Sequence, residues 1–512
     1  MDAVADAVAD SHFVNSPAVR KPIPIISDVA ELPNGWHHLH NCSLREELDL
    51  CIPTLKAVPN CIRAPFARIQ CQVLHAIVLS YNGDSVDFMV KRVDSWCLWC
   101  LLPRLLLFQT KRGGDAGIRL LKRRISLFDT GKWDELLVLS RASISSCRPP
   151  SNGDDNNLVR ACNFVKKGEV SHAARCLGSA GLAAGTPETL AELSNPALRP
   201  ACPNPEKPIP IFAEAFQPEV ELMLDYDCFA GTLQKCRRGL SPGLNGGRYE
   251  YLKLVLDDDS GFRLLFYVCE RLANGDIPEG IPDILKVGRL TALRKPNGKV
   301  RGISAGDILR RLVAKVLARQ FQPIFRKSTS PFNFGLSNRA GTDSLVHFVR
   351  FLLDEDPSRV VVSIDGIGAF DHVERRQIFS ELFHHDTLKC LMPFVRLWYL
   401  HESVFYWFDD NGKRHTITQG DGGEQGDALM PGLFSLALHP ALVAIQAELG
   451  PDCFVVAYLD DIYIICPRSL ARKSFDVCSR ILDLTCGIHV NLGKLAVWSP
   501  TASSVPEDVA LL

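Results

Sequence analysis

What the sequence lacks first is charge of one sign. Fifty-seven Lys and Arg face 58 Asp and Glu, a formal balance of −1, so the chain as a whole advertises neither a polyanionic nor a polycationic partner. It also lacks internal repeats, which excludes solenoids and propellers. The first residues, MDAVADAVADSHF, carry three aspartates and no basic stretch, which argues against a secretory leader. The strongest membrane candidate, WCLWCLLPRLLLF at 96–108, is too short to span a bilayer and contains Pro103 and Arg104; it reads as a core helix. An intracellular protein with no membrane partner is the expectation.

Eighteen cysteines are scattered at no repeating interval, a pattern of buried free thiols rather than a disulfide framework. Cys97-Leu-Trp-Cys100 and the group His37, His38, His40, Cys42 have zinc-like spacing but no complementary half. A core pair and a polar surface loop are the simpler readings.

The remaining 46% hydrophobic and 22% charged residues are ordinary for a folded globular chain of two or three domains. Residues 1–147 read as mainly helical. Residues 148–218 combine a turn-rich stretch, RPPSNGDDNN (148–157), a helical segment, and an extended connector with six prolines in 17 residues (196–212). From about Glu219 helices and strands alternate to about residue 500.

Chemistry concentrates in this second part. In AYLDDIYIIC (457–466) two aspartates interrupt a β-branched, aromatic run. A hairpin turning at Asp460-Asp461 is expected, and the paired carboxylates call for solvent or a cation. A solvated turn is the plain alternative. RVVVSIDGIGAFDHV (359–373) reads as a strand ending in Asp365 at a glycine turn, with a helix following in ERRQIFSELF; a capping or turn Asp is the alternative. Side by side, the two strands would let Asp365 and Asp460 share Mg²⁺, the requirement of two-metal phosphoryl transfer, with ions roughly 3.5–4 Å apart. Between Lys286 and Lys327 stand twelve Lys or Arg and one acid, Asp307. KPNGKVRG reads there as a hairpin bearing Lys295, Lys299 and Arg301, followed by a basic helix with Arg310, Arg311 and Lys315; polyphosphate or nucleic acid is the expected partner. QGDGGEQGDALMP (419–431) is a glycine loop opening a long apolar helix, and GIHVNLGK (487–494) ends in Lys494.

Taken in order over about residues 235–500, these motifs resemble the reverse transcriptase domain of non-LTR retrotransposons: SPGLNGGRYEYLK, LRKPNGKVRGI, FGLSNRAGTDSLVHFVR, the Asp365 strand, EQGDALMP, YLDD and NLGK. The resemblance implies an α+β fold, a right-hand polymerase palm of antiparallel sheet backed by helices, with fingers and lead-in over 219–358 and palm over 359–512. It implies an RNA-directed DNA polymerase acting on an RNA template, a DNA primer and dNTPs. Asp365, Asp460 and Asp461 would hold two Mg²⁺ ions, with Mn²⁺ as a substitute. Phe370 would be the steric gate under the sugar, which favours DNA over RNA product, and Lys295 and Arg301 would grip the triphosphate. Gln425 and Gly426 would line the nucleotide pocket, Lys494 would protonate pyrophosphate, and Arg310, Arg311, Lys315 and Arg339 would contact nucleic acid. Departures from the family pattern include Ala428, Leu429 and Met430 in the glycine loop, Gly302 after Arg301, Leu459 before the aspartates and Leu495 after Lys494. The chain stops about twelve residues after the last motif, leaving no room for a thumb, and a truncated palm is expected. A silent polymerase relic that binds nucleic acid or a partner, and a metal-dependent nuclease, are the alternative functions.

Overall fold

A computed structural model describes residues 29–510 except 41, 51, 111–112, 144–153, 167, 178–180, 296, 337–339 and 502–504. The acidic N-terminal stretch, Arg339 and most of the turn-rich segment at 148–157 lie outside the described residues.

The N-terminal half is helical because its apolar residues recur at helical spacing. Helix α1 (Arg63–Leu79) buries Phe66, Ile69, Val73, Leu74 and Ile77, one face at i, i+3, i+7, i+8 and i+11. It packs on α2 (Val86–Leu106) and on a later helix, Asp259–Ala273. The 96–108 run forms the C-terminal half of α2 and a short extension, with Trp96, Leu98, Cys100 and Leu105 fully enclosed. Among the described residues, the helix long and apolar enough to cross a membrane is instead Met430–Leu449. It is the central core helix of the second half, with Leu433, Phe434, Ala437 and Ile445 buried.

Two four-stranded sheets follow. The first has the order β2-β1-β4-β5: β1 (Gly288–Arg294) and β2 (Val300–Ala305) form the expected KPNGKVRG hairpin, and β4 (Ser403–Phe408) and β5 (Arg414–Gln419) a second one. The hairpins are joined by parallel pairing of Gly288 with Phe405 and Arg289 with Tyr406. The second sheet, β6-β7-β3-β8, is antiparallel throughout, with β3 (Arg359–Ile364), β6 (Phe454–Tyr458), β7 (Asp461–Pro467) and β8 (Ala496–Trp498). Val360, Val362 and Ile364 join the main core, to which the Met430–Leu449 and Ala471–Cys486 helices also belong, while Val361, Val456 and Ile465 pack with Leu345, Leu352 and Leu353 of the Gly341–Glu355 helix. With both faces covered, β3 reads as a continuous apolar run rather than an alternating one.

One hydrophobic cluster extends from Leu39 to Val509, so the N-terminal helices and the later sheets share a core. The proline-rich connector, expected to be extended, is instead a series of turns and bends running into a short helix at Ile211–Ala215, and it is packed: the carbonyl of Pro200 accepts from Gly420 N at 2.7 Å, and Arg199 is 8% exposed.

Candidate active site

The antiparallel register of β3 and β7 builds the site. Ile364 pairs with Ile462, which places Asp365, the residue just after β3, across from Asp461, the first of β7. Asp460 sits in the connecting turn. The turn pair is Leu459-Asp460, because Asp461 already pairs with Tyr458; the expected Asp460-Asp461 turn is shifted back by one residue. Leu459 adopts φ +57°, a left-handed conformation that costs a side-chain-bearing residue about 1 kcal/mol or more. The turn is clamped from beside: Phe334 N donates to Ala457 O at 2.8 Å, Ala457 N to Phe332 O at 2.8 Å, and the Oδ1 of buried Asn333 accepts from Leu459 N at 3.4 Å. Gly335 lies so close that a Cβ there would be 2.7 Å from Leu459 Cγ.

The three carboxylates share one field. Burial pushes the Asp460 carboxyl above the usual range, and Asp461 and Asp365 push it further; Asp461 is raised by burial and then by Asp365. Lys494 opposes both shifts and forms an ion pair with Asp365 Oδ2. The backbone delivers it there: Gly366 bridges Val490, and Asn491 N donates to Asp365 O at 2.8 Å. In this arrangement no three His, Cys, Asp or Glu side chains among the described residues are gathered at metal-binding distance, and the Lys494 ammonium supplies the positive charge at Asp365. The donors themselves are hard carboxylate oxygens that repel one another at the end of a sheet, chemistry that suits a divalent cation such as Mg²⁺.

The β1–β2 hairpin brings the opposite charge. The Lys295 ammonium is pushed below its usual value by burial, then by Arg301, Lys494 and Lys299, so the hairpin tip shares a field with the lysine on Asp365. Phe370 lies in the short helix Ala369–His372, its ring stacked on Phe434 at 4.2 Å and 21°, and its carbonyl accepts from Gly423 N at 2.8 Å. Gln425 Nε2 donates to Asp371 Oδ2 at 2.7 Å, and Ser304 N of β2 donates to Gln425 O at 2.9 Å. Gly426 has φ +126°, and a Cβ there would lie 2.5 Å from Ser304 O. Glycine is required for that approach.

Arg310 must be corrected. It is 3% exposed and cannot face a nucleic acid. Its Nη2 lies 2.9 Å from Glu424 Oε1 and 3.6 Å from Asp427 Oδ2, with Trp398 beside its guanidinium at 4.6 Å. Arg311 donates to Ser241 O at 2.8 Å, and Arg311 and Lys315 flank the Tyr249 ring. Sequence reasoning also passed over Arg375. Fully buried at the start of the helix Arg375–His384, it donates to Gly422 O at 2.9 Å, His401 O at 2.6 Å and Ser403 Oγ at 2.8 Å. It thereby ties the glycine loop to β4. The available signal was its spacing, with Ile378, Phe379 and Leu382 at i+3, i+4 and i+7 on the same buried face.

Comparison with known proteins meets this geometry. Residues 293–504 match the family model for reverse transcriptase (RNA-dependent DNA polymerase). The chain is similar, at 28% identity over 290 residues, to the retrotransposable element SLACS 132 kDa protein of Trypanosoma brucei gambiense; the match covers 56% of this chain and 24% of that one, so the chain spans about a quarter of its relative. Among solved structures it is similar to apo telomerase from Candida tropicalis truncated from its C-terminal domain, at TM-score 0.34 and 14% identity over 43% of this chain and 51% of that chain. It is also similar to apo telomerase from the same organism, at TM-score 0.34 and 11% identity over 55% and 62%. Residues 293–504 are thus similar to reverse transcriptases (RNA-dependent DNA polymerases), and the chain is similar over part of its length to a retrotransposable element protein.

Proposed function

We propose that the chain catalyses template-directed addition of dNTPs to a primer 3′-hydroxyl, copying RNA into DNA, with the β3–β6–β7 sheet as palm and the β1–β2 hairpin as fingers. The observation that carries this reading is the cluster of three carboxylates beside a basic hairpin: Asp365, Asp460 and Asp461 at the end of two paired strands are opposed by Lys494, and Lys494 shares its field with Lys295, which Arg301 neighbours.

Asp365, Asp460 and Asp461 would hold the divalent ions, Mg²⁺ by donor chemistry, and two such ions supply activation of the attacking hydroxyl and charge neutralisation on the leaving pyrophosphate. Lys295 and Arg301 bind the triphosphate by charge. Lys494, which pairs with Asp365 here, would give a proton to the departing pyrophosphate. Phe370, fixed by stacking on Phe434, excludes a 2′-hydroxyl by volume and cannot hydrogen-bond one. Gln425 and Gly426 line the pocket beneath the base pair. Sequence is read by base pairing with the template, so the protein holds backbone and shape.

The test is Mg²⁺-dependent extension of a DNA primer on an RNA template by the purified chain and by Asp460→Ala/Asp461→Ala. Extension by the first and none by the second is expected. RNA binding without extension in either protein would overturn the catalytic reading and leave a binding protein built on a polymerase fold.

A further inference from the structure

The segment preceding the matched domain is tied across the site. Leu182 bridges Leu293, and Ala183 N donates to Ala292 O at 3.0 Å. Glu192 accepts from Val300 N at 2.6 Å, while Ala183 and Leu193 pack with Leu290, Ala292, Phe405 and Trp407. After crossing the β1–β2 hairpin, the chain reaches the glycine loop. Pro200 O accepts from Gly420 N, and a Cβ on Gly420 would fall 2.0 Å from the Cys202 carbonyl carbon. Lys207 then pairs with buried Glu374. Residues 182–207 are a strap fastened to the fingers hairpin at one end and to the palm at the other.

The strap sends one charged side chain inward. The Arg199 guanidinium lies against the Phe405 ring at 5.3 Å, with its Nε 3.9 Å from Asp371 Oδ1. Arg199 is 8% and Asp371 5% exposed. Asp371 directly follows Phe370, and its other oxygen takes the 2.7 Å hydrogen bond from Gln425 Nε2. A buried carboxylate keeps its charge only with a cation nearby, and a charged acceptor holds the Gln425 amide about twice as strongly as a neutral one. Burial pushes the Asp371 carboxyl above its usual range, and Arg199 opposes this most, ahead of the Gln425 hydrogen bond, His372 and Arg301.

We propose that Arg199 is a positioning residue for nucleotide binding: from the strap it holds Asp371, and through Asp371 it orients the Gln425 amide. This rests on the polymerase reading above. No contact between Arg199 and the nucleotide is invoked. Residues 182–207 are therefore part of the nucleotide pocket's support, although they lie outside the matched domain.

The experiment is primer extension by the full chain with dNTP concentration varied. Arg199→Met should raise KM for dNTP roughly tenfold while kcat changes less than about threefold; simple loss of folded protein would lower apparent kcat and leave KM alone. Arg199→Lys should recover part of the KM. Arg199→Met combined with Gln425→Ala should be no worse than Gln425→Ala by itself, because both act through one hydrogen bond. Wild-type KM in Arg199→Met, or effects of the two changes that multiply, would overturn the proposal. Should Arg199→Met fail to fold, Asp371→Asn carries the same test, and an unchanged KM there overturns it equally. Absence of extension by the wild-type chain would overturn the polymerase reading and this inference with it, an outcome distinct from wild-type extension with an unaltered variant.

Discussion

Replacing Arg310 by Met tests whether a buried cation holds the glycine loop. Arg310 and Glu424 are 3% and 2% exposed in their side chains, and Arg310 Nη2 is 2.9 Å from Glu424 Oε1 and 3.6 Å from Asp427 Oδ2. Burial opposes the guanidinium charge, but Glu424, Tyr399 and Asp427 override it and hold its pKa above the usual value. Methionine fills much of the volume beside Trp398 and supplies no charge. Glu424 would retain a long 3.3 Å bond from Ser304, and Asp427 its 2.6 Å bond from Tyr399. Breaking one side of a buried pair costs about 3–5 kcal/mol, because the partner stays behind uncompensated. Against a total stability of about 5–15 kcal/mol that is roughly a fifth or more. Equilibrium urea unfolding of the full chain, read by the transition midpoint, is the assay. Arg326→Ala, on the exposed face of the next helix, should move stability by no more than ~0.5 kcal/mol. Arg310→Met/Glu424→Leu should recover part of the loss by removing the stranded charge. A cost below ~1 kcal/mol for Arg310→Met would refute the reasoning and return Arg310 to the surface.

Three further outcomes are expected. Phe370→Ala should raise incorporation of ribonucleotides relative to deoxyribonucleotides about tenfold or more, read by competitive extension; unchanged selectivity would remove Phe370 as the gate. Gly335→Ala would put a Cβ 2.8 Å from Leu459 N and 2.7 Å from Leu459 Cγ, so kcat should fall about tenfold or more as the turn bearing Asp460 is displaced, with normal kcat the refuting result. Mg²⁺ at about 100 times its dissociation constant should stabilise the wild type by ~2.7 kcal/mol, visible as a higher melting midpoint that chelator reverses; an equal shift in Asp460→Ala/Asp461→Ala would place the ion elsewhere.

The catalytic strands were legible because their signals are local. A β-branched run ending in Asp365-Gly366, and a run interrupted at Asp460-Asp461, declare strand ends whatever surrounds them. The one-residue shift of the turn was not legible: Leu459 at positive φ contradicts its own preference, and the clamp from Asn333 and Gly335 lies more than 120 residues away. Arg310 was misplaced for a different reason. A tract of twelve basic residues invites reading as a surface, yet Val313, Ala314 and Leu317 stand at i+3, i+4 and i+7 from Arg310 and are buried with it. Helical spacing, applied to the charged residues as well as the apolar ones, separates Arg310 from Arg311. Arg199 gave no signal, because its partner Asp371 is 172 positions distant and nothing in a proline-rich stretch distinguishes an inward arginine from an outward one.

The parallel pairing of β1 with β4 bears on motion. On the proposed polymerase reading the fingers would admit and enclose each nucleotide, and a free hairpin would do so by swinging about its base. Here the base is sewn into a sheet with β4 and β5, and Gly288 packs so tightly that a Cβ would meet Phe405 at 2.9 Å. The strap covers the face of the same sheet that carries Phe405. A hinge there would have to tear backbone pairing on every cycle. On the polymerase reading, opening would be confined to the tip of the hairpin, where Lys295 and Lys299 are exposed. The pocket proposed for the nucleotide would then rest on paired backbone that keeps it nearly preformed between successive additions.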